Sequence, residues 1–120
     1  GFTTYEGTVT AANDWDGPAE RMTVRPGRHD SYEGLFHEAL AGNFLIDLRD
    51  AATPLPRRLE RAIGVIYRPD TERKSHYFEA SLSRQFDIVL HLDHTRALEP
   101  MERTASWDAA ELPETYPTGL

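Results

Sequence analysis

The spacing of apolar and polar positions changes period several times along these 120 residues. Residues 1–12 are rich in Thr, Val and aromatics, with Phe2, Thr4 and Glu6 on one parity and Thr3, Tyr5, Gly7 and Val9 on the other. That alternation predicts a strand, with Gly7 as a bend or a point of close approach. Residues 13–30 read as loop: Asn13-Asp14-Trp15-Asp16-Gly17-Pro18 concentrates turn formers, and Arg21-Met22-Thr23-Val24 is one short extended piece closed by Pro26-Gly27. Asp30 followed by Glu33 then has the spacing of a capping box, in which Asp30 takes a free backbone N–H and Glu33 reaches back. Tyr32, Leu35, Phe36, Ala39 and Leu40 recur at three- and four-residue intervals, which predicts a helix over 31–41 with Gly42 as its left-handed C-terminal cap.

Period two returns over 43–50, where Phe44, Ile46 and Leu48 share a face, and a strand is expected. Residues 57–61 follow Pro56 and read as one or two helical turns. Residues 62–67 form a nearly continuous apolar run, the pattern of a strand covered on both faces. A short strand is expected over 75–80, a turn of helix over 81–86 and a buried strand over 87–93, whereas 101–120 is aperiodic and reads as a tail. Strand and helix signals alternate, so the fold class is α/β with a largely parallel or mixed sheet and short helices.

Composition narrows the picture further. The formal net charge is −7, from 20 acidic and 13 basic residues, so the overall field repels phosphate backbones and anionic lipid surfaces, and neither nucleic acid nor a membrane is an expected partner. No apolar stretch approaches the roughly 20 residues needed to span a bilayer. The chain has no Cys, which removes thiolate metal sites and cysteine nucleophiles and fits a cytoplasmic location. It opens on Gly1 in strand-like sequence without Met, which reads as a piece of a longer protein.

Five His residues are the first chemical candidates. His29 is read as solvated in its polar loop, and His37 as an interfacial residue at the edge of the helix stripe. His91 and Asp93 share the strand face opposite Ile88, Leu90 and Leu92; with His94 they offer a weak metal-ligand pattern, against which a polar strand end is the commoner explanation. His76 ranks first, because Tyr77 and Phe78 beside it suit a cleft wall, although a packed, hydrogen-bonded ring explains the same residues. Ligands of parallel α/β sheets gather outside the carboxyl ends of strands. On that rule Tyr5 and Glu6, Arg49 and Asp50, Tyr67 and Arg68, and Asp93 and His94 converge if their strands are parallel. The cleft-rim candidates are therefore Tyr5, Glu6, Tyr67, Arg68 and His76. No phosphate-binding glycine loop or nucleophile elbow is present.

Gly1-Phe2-Thr3-Thr4-Tyr5-Glu6-Gly7-Thr8-Val9-Thr10-Ala11-Ala12 with Trp15, then Ser31-Tyr32-Glu33 and Leu35-Phe36-His37, resembles the carboxy-terminal portion of the erythromycin esterase family. Arg61-Ala62-Ile63-Gly64-Val65-Ile66-Tyr67-Arg68-Pro69, Ser75-His76-Tyr77-Phe78, Gln85-Phe86-Asp87 and then Asp93, Thr95 and Arg96 continue the resemblance in order. It implies that 1–102 is the carboxy-terminal part of a larger α/β esterase-like domain, with 103–120 an irregular tail. It implies hydrolysis of a small-molecule ester or lactone in the full-length protein, a macrolactone in the macrolide-resistance members, by water activated without an obligatory metal or other cofactor. Some relatives of this type are described as related to succinoglycan biosynthesis. The family's water-activating His and Glu belong to segments that would precede Gly1, so no catalytic residue is carried over and the piece is expected to be inactive alone. The alternative is an autonomous binding module, dimerising through an exposed sheet edge; a small metal-dependent enzyme built on His91, Asp93 and His94 is a third reading.

Overall fold

The structure is a computed structural model that describes residues 1–39, 42–49, 55–102 and 105–109. Its elements in chain order are β1 (Phe2–Ala11), β2 (Glu20–Val24), α1 (Tyr32–Ala39), β3 (Phe44–Asp47), β4 (Arg58–Arg61), α2 (Glu72–Ser75), β5 (Tyr77–Ala80), α3 (Leu82–Gln85), β6 (Ile88–Thr95) and α4 (Ala105–Ala109). Among the described residues β2-β1-β6-β3 form one sheet and β4-β5 a second. The fold is α/β with a mixed sheet: β1 and β6 run parallel, while β2 on β1 and β3 on β6 are antiparallel.

β1 divides its length between two partners. Phe2 to Gly7 pair with β6, and Gly7 to Ala11 pair with β2, so Gly7 is the point where the ladder changes sides. Its φ is +135°, and a Cβ there would lie 2.0 Å from the Thr95 carbonyl oxygen. Both facts demand glycine, and the bend or close approach expected from sequence is both at once.

Register assigns the two faces of the sheet. Thr3, His91 and Phe44 fall in one row, and Phe2, Leu90 and Leu45 in the next. The first face is covered by α1, whose Tyr32 and Phe36 enter a core with Leu48, Ala80, Leu82 and Val89. The second is open: Phe2 is 56% exposed, Leu45 62%, Leu90 39% and Ile88 38%. A strand over 87–93 was expected and is present, but it is buried on one face only, and the buried face is the one that carries His91 and Asp93.

Ala11, Met22, Val24 and Tyr67 form a second core at the β1–β2 end. Trp107 of α4 closes over that end, buried, with its indole N–H donating to Thr10 Oγ1 at 3.1 Å and the Arg21 guanidinium 4.0 Å from its ring. α4 lies within the carboxy-terminal stretch that the sequence leaves aperiodic.

Three local expectations are corrected. Residues 57–61 are not helical turns: Arg58–Arg61 pair antiparallel with Tyr77–Ala80 as β4 and β5, a ladder that local propensity does not reveal. Residues 62–67 are not a strand covered on both faces; apart from the single bridge between Ile66 and Ala12 they make no ladder, and Val65 is exposed while Tyr67 is buried. The cap of α1 is Ser31 rather than Asp30, since Ser31 Oγ accepts from Gly34 N–H while Asp30 is held by the Arg28 guanidinium at 2.7 Å. Glu33 does not reach back to a cap either, because its carboxylate is used across the fold. Gly42 has the expected left-handed φ of +85°, whereas Leu40, Ala41 and Asp50 lie outside the described residues.

Gly7→Ala should lower unfolding free energy by about 2 kcal/mol or more, since it combines a disfavoured φ with backbone overlap. Urea unfolding of both forms measures this, and a loss under about 0.5 kcal/mol would contradict the close approach.

Candidate functional site

Two polar assemblies occupy the interior. The first centres on Arg61, the last residue of β4, whose side chain is almost fully buried beside β1. β2 pairs only with the second half of β1, which leaves carbonyls of the first half without a strand partner on that side. Arg61 replaces the strand: Nη2 donates to Thr4 O at 2.5 Å and to Tyr5 O at 2.9 Å, and Nη1 donates to Arg25 O at 2.6 Å. Nη1 also meets Glu72 Oε1 at 2.7 Å, and the same oxygen accepts from the Tyr67 hydroxyl at 3.0 Å. Burial pushes the Tyr67 phenol up to about 12, so it remains a donor.

Glu33 adds a second carboxyl to this assembly from α1. Its Oε1 accepts from Arg61 N–H at 2.6 Å, and its Oε2 is buried with no hydrogen-bond partner among the described residues. Burial pushes the Glu33 carboxyl up to about 7, against the opposing pull of the Arg61 backbone N–H. Glu33 and Arg61 also reach the wall of a cavity of about 660 Å³ on the open sheet face, floored by Phe2, Thr4, Leu92 and His94.

The second assembly lies under α1 on the covered face. Asp93, of β6, accepts from His37 Nδ1 through both carboxylate oxygens, at 2.9 and 3.0 Å, and from His91 Nε2 at 3.2 Å. A carboxylate has only acceptors, so both of these ring nitrogens carry protons. His91 is fully buried, and burial holds it below the usual histidine range despite the Asp93 hydrogen bond. Its other nitrogen, Nδ1, therefore accepts from the Thr3 hydroxyl at 2.8 Å. Burial works to raise the Asp93 carboxyl, but the hydrogen bonds from His37 and His91 outweigh it and hold the group below its ordinary value. The backbone is fixed as well, with Asp93 N–H donating to Asn43 Oδ1 at 2.9 Å. The His37 ring lies flat on Tyr5, with centroids 3.6 Å apart and planes 5° from parallel.

The candidates read from sequence are distributed unevenly around these assemblies. Tyr5 joins the second through its ring and the first through its carbonyl. Glu6 pairs with His94 across the parallel β1–β6 ladder, so two of the strand-end residues do meet. Tyr67 is part of the Arg61 assembly. Arg68 is tied to the loop at Asn13 O and Asp14, and Arg49 forms an exposed pair with Asp47 at the other end of the antiparallel β3. His76 has both nitrogens engaged, Nε2 accepting from Arg68 N–H at 3.2 Å and Nδ1 donating to Ala62 O at 2.9 Å. None of Tyr5, Glu6, Tyr67, Arg68 and His76 lines the 660 Å³ cavity. His29 is exposed, as its loop suggests. Among the described residues no group of three or more His, Asp or Glu side chains is arranged to hold a metal ion.

Sequence reasoning left Arg61, Glu72 and the His37–Asp93 pair unmarked. The parity of His91 and Asp93 was visible, but their partner is 56 residues away on α1.

The erythromycin esterase family model matches residues 1–95 of the chain. The chain is similar to a crystal structure of a protein from Bacillus cereus, with 24% identity and a TM-score of 0.64, over 80% of this chain and 24% of that one. It is similar also to a crystal structure of a succinoglycan biosynthesis protein, with 27% identity and a TM-score of 0.64, over 80% of this chain and 23% of that one. The chain thus spans about a quarter of the length of either solved structure.

Stability should respond to Glu33 with a definite sign. Between its unfolded value near 4.5 and its folded value of about 7, the folded state keeps a proton that the unfolded state has released. This contribution is full below pH 4.5 and falls by up to about 3 kcal/mol as pH rises through 7. Buried neutral His91 acts in the opposite direction as pH falls, so the difference between wild type and Glu33→Gln isolates the carboxyl. Urea unfolding from pH 5 to 8 should show Glu33→Gln gaining on wild type as pH rises; a constant difference would contradict the assignment. Arg61→Met should cost about 3–5 kcal/mol in the same assay, because it leaves the Glu72 carboxylate buried and uncompensated.

Proposed function

The chain belongs to the erythromycin esterase family, and from that premise we propose that it is one part of a longer carboxylic-ester hydrolase, supplying sheet and cleft wall while remaining inactive alone. The observation that carries this reading is the open sheet face. Phe2, Leu45, Ile88 and Leu90 lie together on it and are exposed. Apolar area left in water forgoes about 25 cal/mol per Å², and a sheet face that stays in water ordinarily carries polar rather than apolar side chains. A covering layer has an available source in a longer chain, since each solved relative has about four times the matched length.

The substrate class in this reading is a small-molecule ester or lactone, and the macrolactone to which the family's name points is the first member to test. The cavity floor on the open face supplies one wall of the cleft, and in this reading the family's own His and Glu that activate water for the ester reside in the remainder of the longer protein. No described helix is long and apolar enough to cross a membrane, and the lack of Cys suits the reducing cytoplasm to which we assign the protein. One observation favours a second reading, a homodimerising module without catalysis: β3 ends the sheet, and its outer edge has no strand partner among the described residues.

Purified 120-residue chain should release no product from erythromycin or p-nitrophenyl butyrate above the buffer rate, and it should sediment as a monomer. Turnover that is lost in His76→Ala would overturn the inactive-part reading. A concentration-dependent dimer broken by Leu45→Lys would move the assignment to the second reading.

A further inference from the structure

We propose that His37 and Asp93 form an acid–base dyad in which Nε2 of His37 takes a proton from a water molecule or hydroxyl group directed at it. This goes beyond the hydrolase reading and does not rest on the substrate being an ester.

Four features of the geometry support it. Asp93 grips Nδ1 of His37 with both oxygens, which fixes the tautomer with Nδ1 protonated and the Nε2 lone pair bare. Nε2 has no protein partner among the described residues, and the side chain is 37% exposed, so the bare nitrogen is reachable. The Tyr5 ring stacked at 3.6 Å restrains the remaining rotation of the imidazole. Finally, Asp93 is itself held by His91, which is held by Thr3, and by the Asn43 contact to its backbone. A chain of oriented groups thus runs from Thr3 to a single free base at the surface.

The protein part of the step is simple. The O–H bond of the ligand breaks as an N–H bond forms at Nε2, and the imidazolium charge is balanced by Asp93 within hydrogen-bond distance at Nδ1. The oxygen keeps its electron pair for attack on an electrophile. His37 is the catalytic residue in this proposal, while Asp93 is a positioning residue that acts through the ring, as an orienting carboxylate does in a His–Asp pair.

Two measurements on the 120-residue chain test it. Nitrogen-15 NMR of the imidazoles, at a pH where His37 is neutral, should find Nδ1 protonated and Nε2 bare. The opposite tautomer in the wild-type chain overturns the proposal without any variant. The second measurement uses diethyl pyrocarbonate as an electrophilic carbonyl probe. The Nε2 lone pair forms the N–C bond, ethyl carbonate departs with the C–O electron pair, and the Nδ1 proton is lost to solvent; ethyl carbonate then takes a proton and yields carbon dioxide and ethanol. Peptide mass spectrometry gives the His37 rate relative to exposed His29 in the same molecule. Asp93→Asn should lower that ratio by about tenfold or more with native circular dichroism retained. A folded Asp93→Asn chain with an unchanged ratio overturns the proposal, and if that variant fails to fold, the wild-type tautomer decides alone.

Discussion

The guanidinium of Arg61 connects segments that no continuous ladder joins. It reaches the first half of β1 at two carbonyls, the end of β2 at Arg25 O and α2 at Glu72, while its own backbone N–H engages Glu33 on α1. A planar group with a fixed fork of donors suits this position, where a lysine ammonium would not present the same directions. Arg61 thereby occupies the place beside β1 that a further strand would fill, and sets the small β4–β5 sheet against the main one. The ion pair with Glu72 is buried on both sides, so its attraction is offset by desolvation; its specific value lies in the number of backbone acceptors satisfied by the same cation.

The second constraint is the switch of partners at Gly7. Because β1 gives its first half to β6 and its second half to β2, the antiparallel β1–β2 extension carries one core while α1 covers the other end of the sheet. The close approach of Gly7 to Thr95 holds the end of β6 against β1 at the changeover. That keeps Glu6 beside His94 and Asp93 within reach of α1, so the backbone geometry of one glycine positions both acidic and imidazole groups.

Sequence periodicity located β1, β3 and α1 because each has a solvent side and a packed side, whereas β6 was legible as a strand but read as buried, its one-sided burial being set by α1 on a single face. It misread 57–61, where Arg58, Glu60 and Arg61 resemble an exposed helical turn until the partner strand nearly twenty residues later is known. It misread 62–67 because an apolar run does not state whether its backbone is paired, and these residues pack by side chain with one bridge only. The capping signal at Asp30 and Glu33 was displaced by tertiary partners, Arg28 for the first and Arg61 for the second. His37 and Asp93 carried no joint signal, since helix and strand spacing describe neighbours and not pairs brought together by the fold. Tyr5 was legible as a strand-end residue, but its stacking partner was not.

The buried face of β6 places His91 and Asp93 inside beside Val89, while Leu90 and Ile88 are more than a third exposed on the other face. The polar face is tolerable because it is nearly self-contained: Thr3 donates to His91, His91 donates to Asp93, and His37 donates to the same carboxylate, so the buried donors and acceptors are matched along the chain. The apolar face has no such internal remedy, since only contact with another apolar surface removes its cost. A layer laid over Phe2, Leu45, Ile88 and Leu90 would remove that apolar area from water without disturbing the His–Asp chain beneath α1. The two faces thus differ in kind, one completed by hydrogen bonds within these residues and the other left with apolar side chains in water, which is the physical basis for the proposal that the chain packs as part of a longer protein.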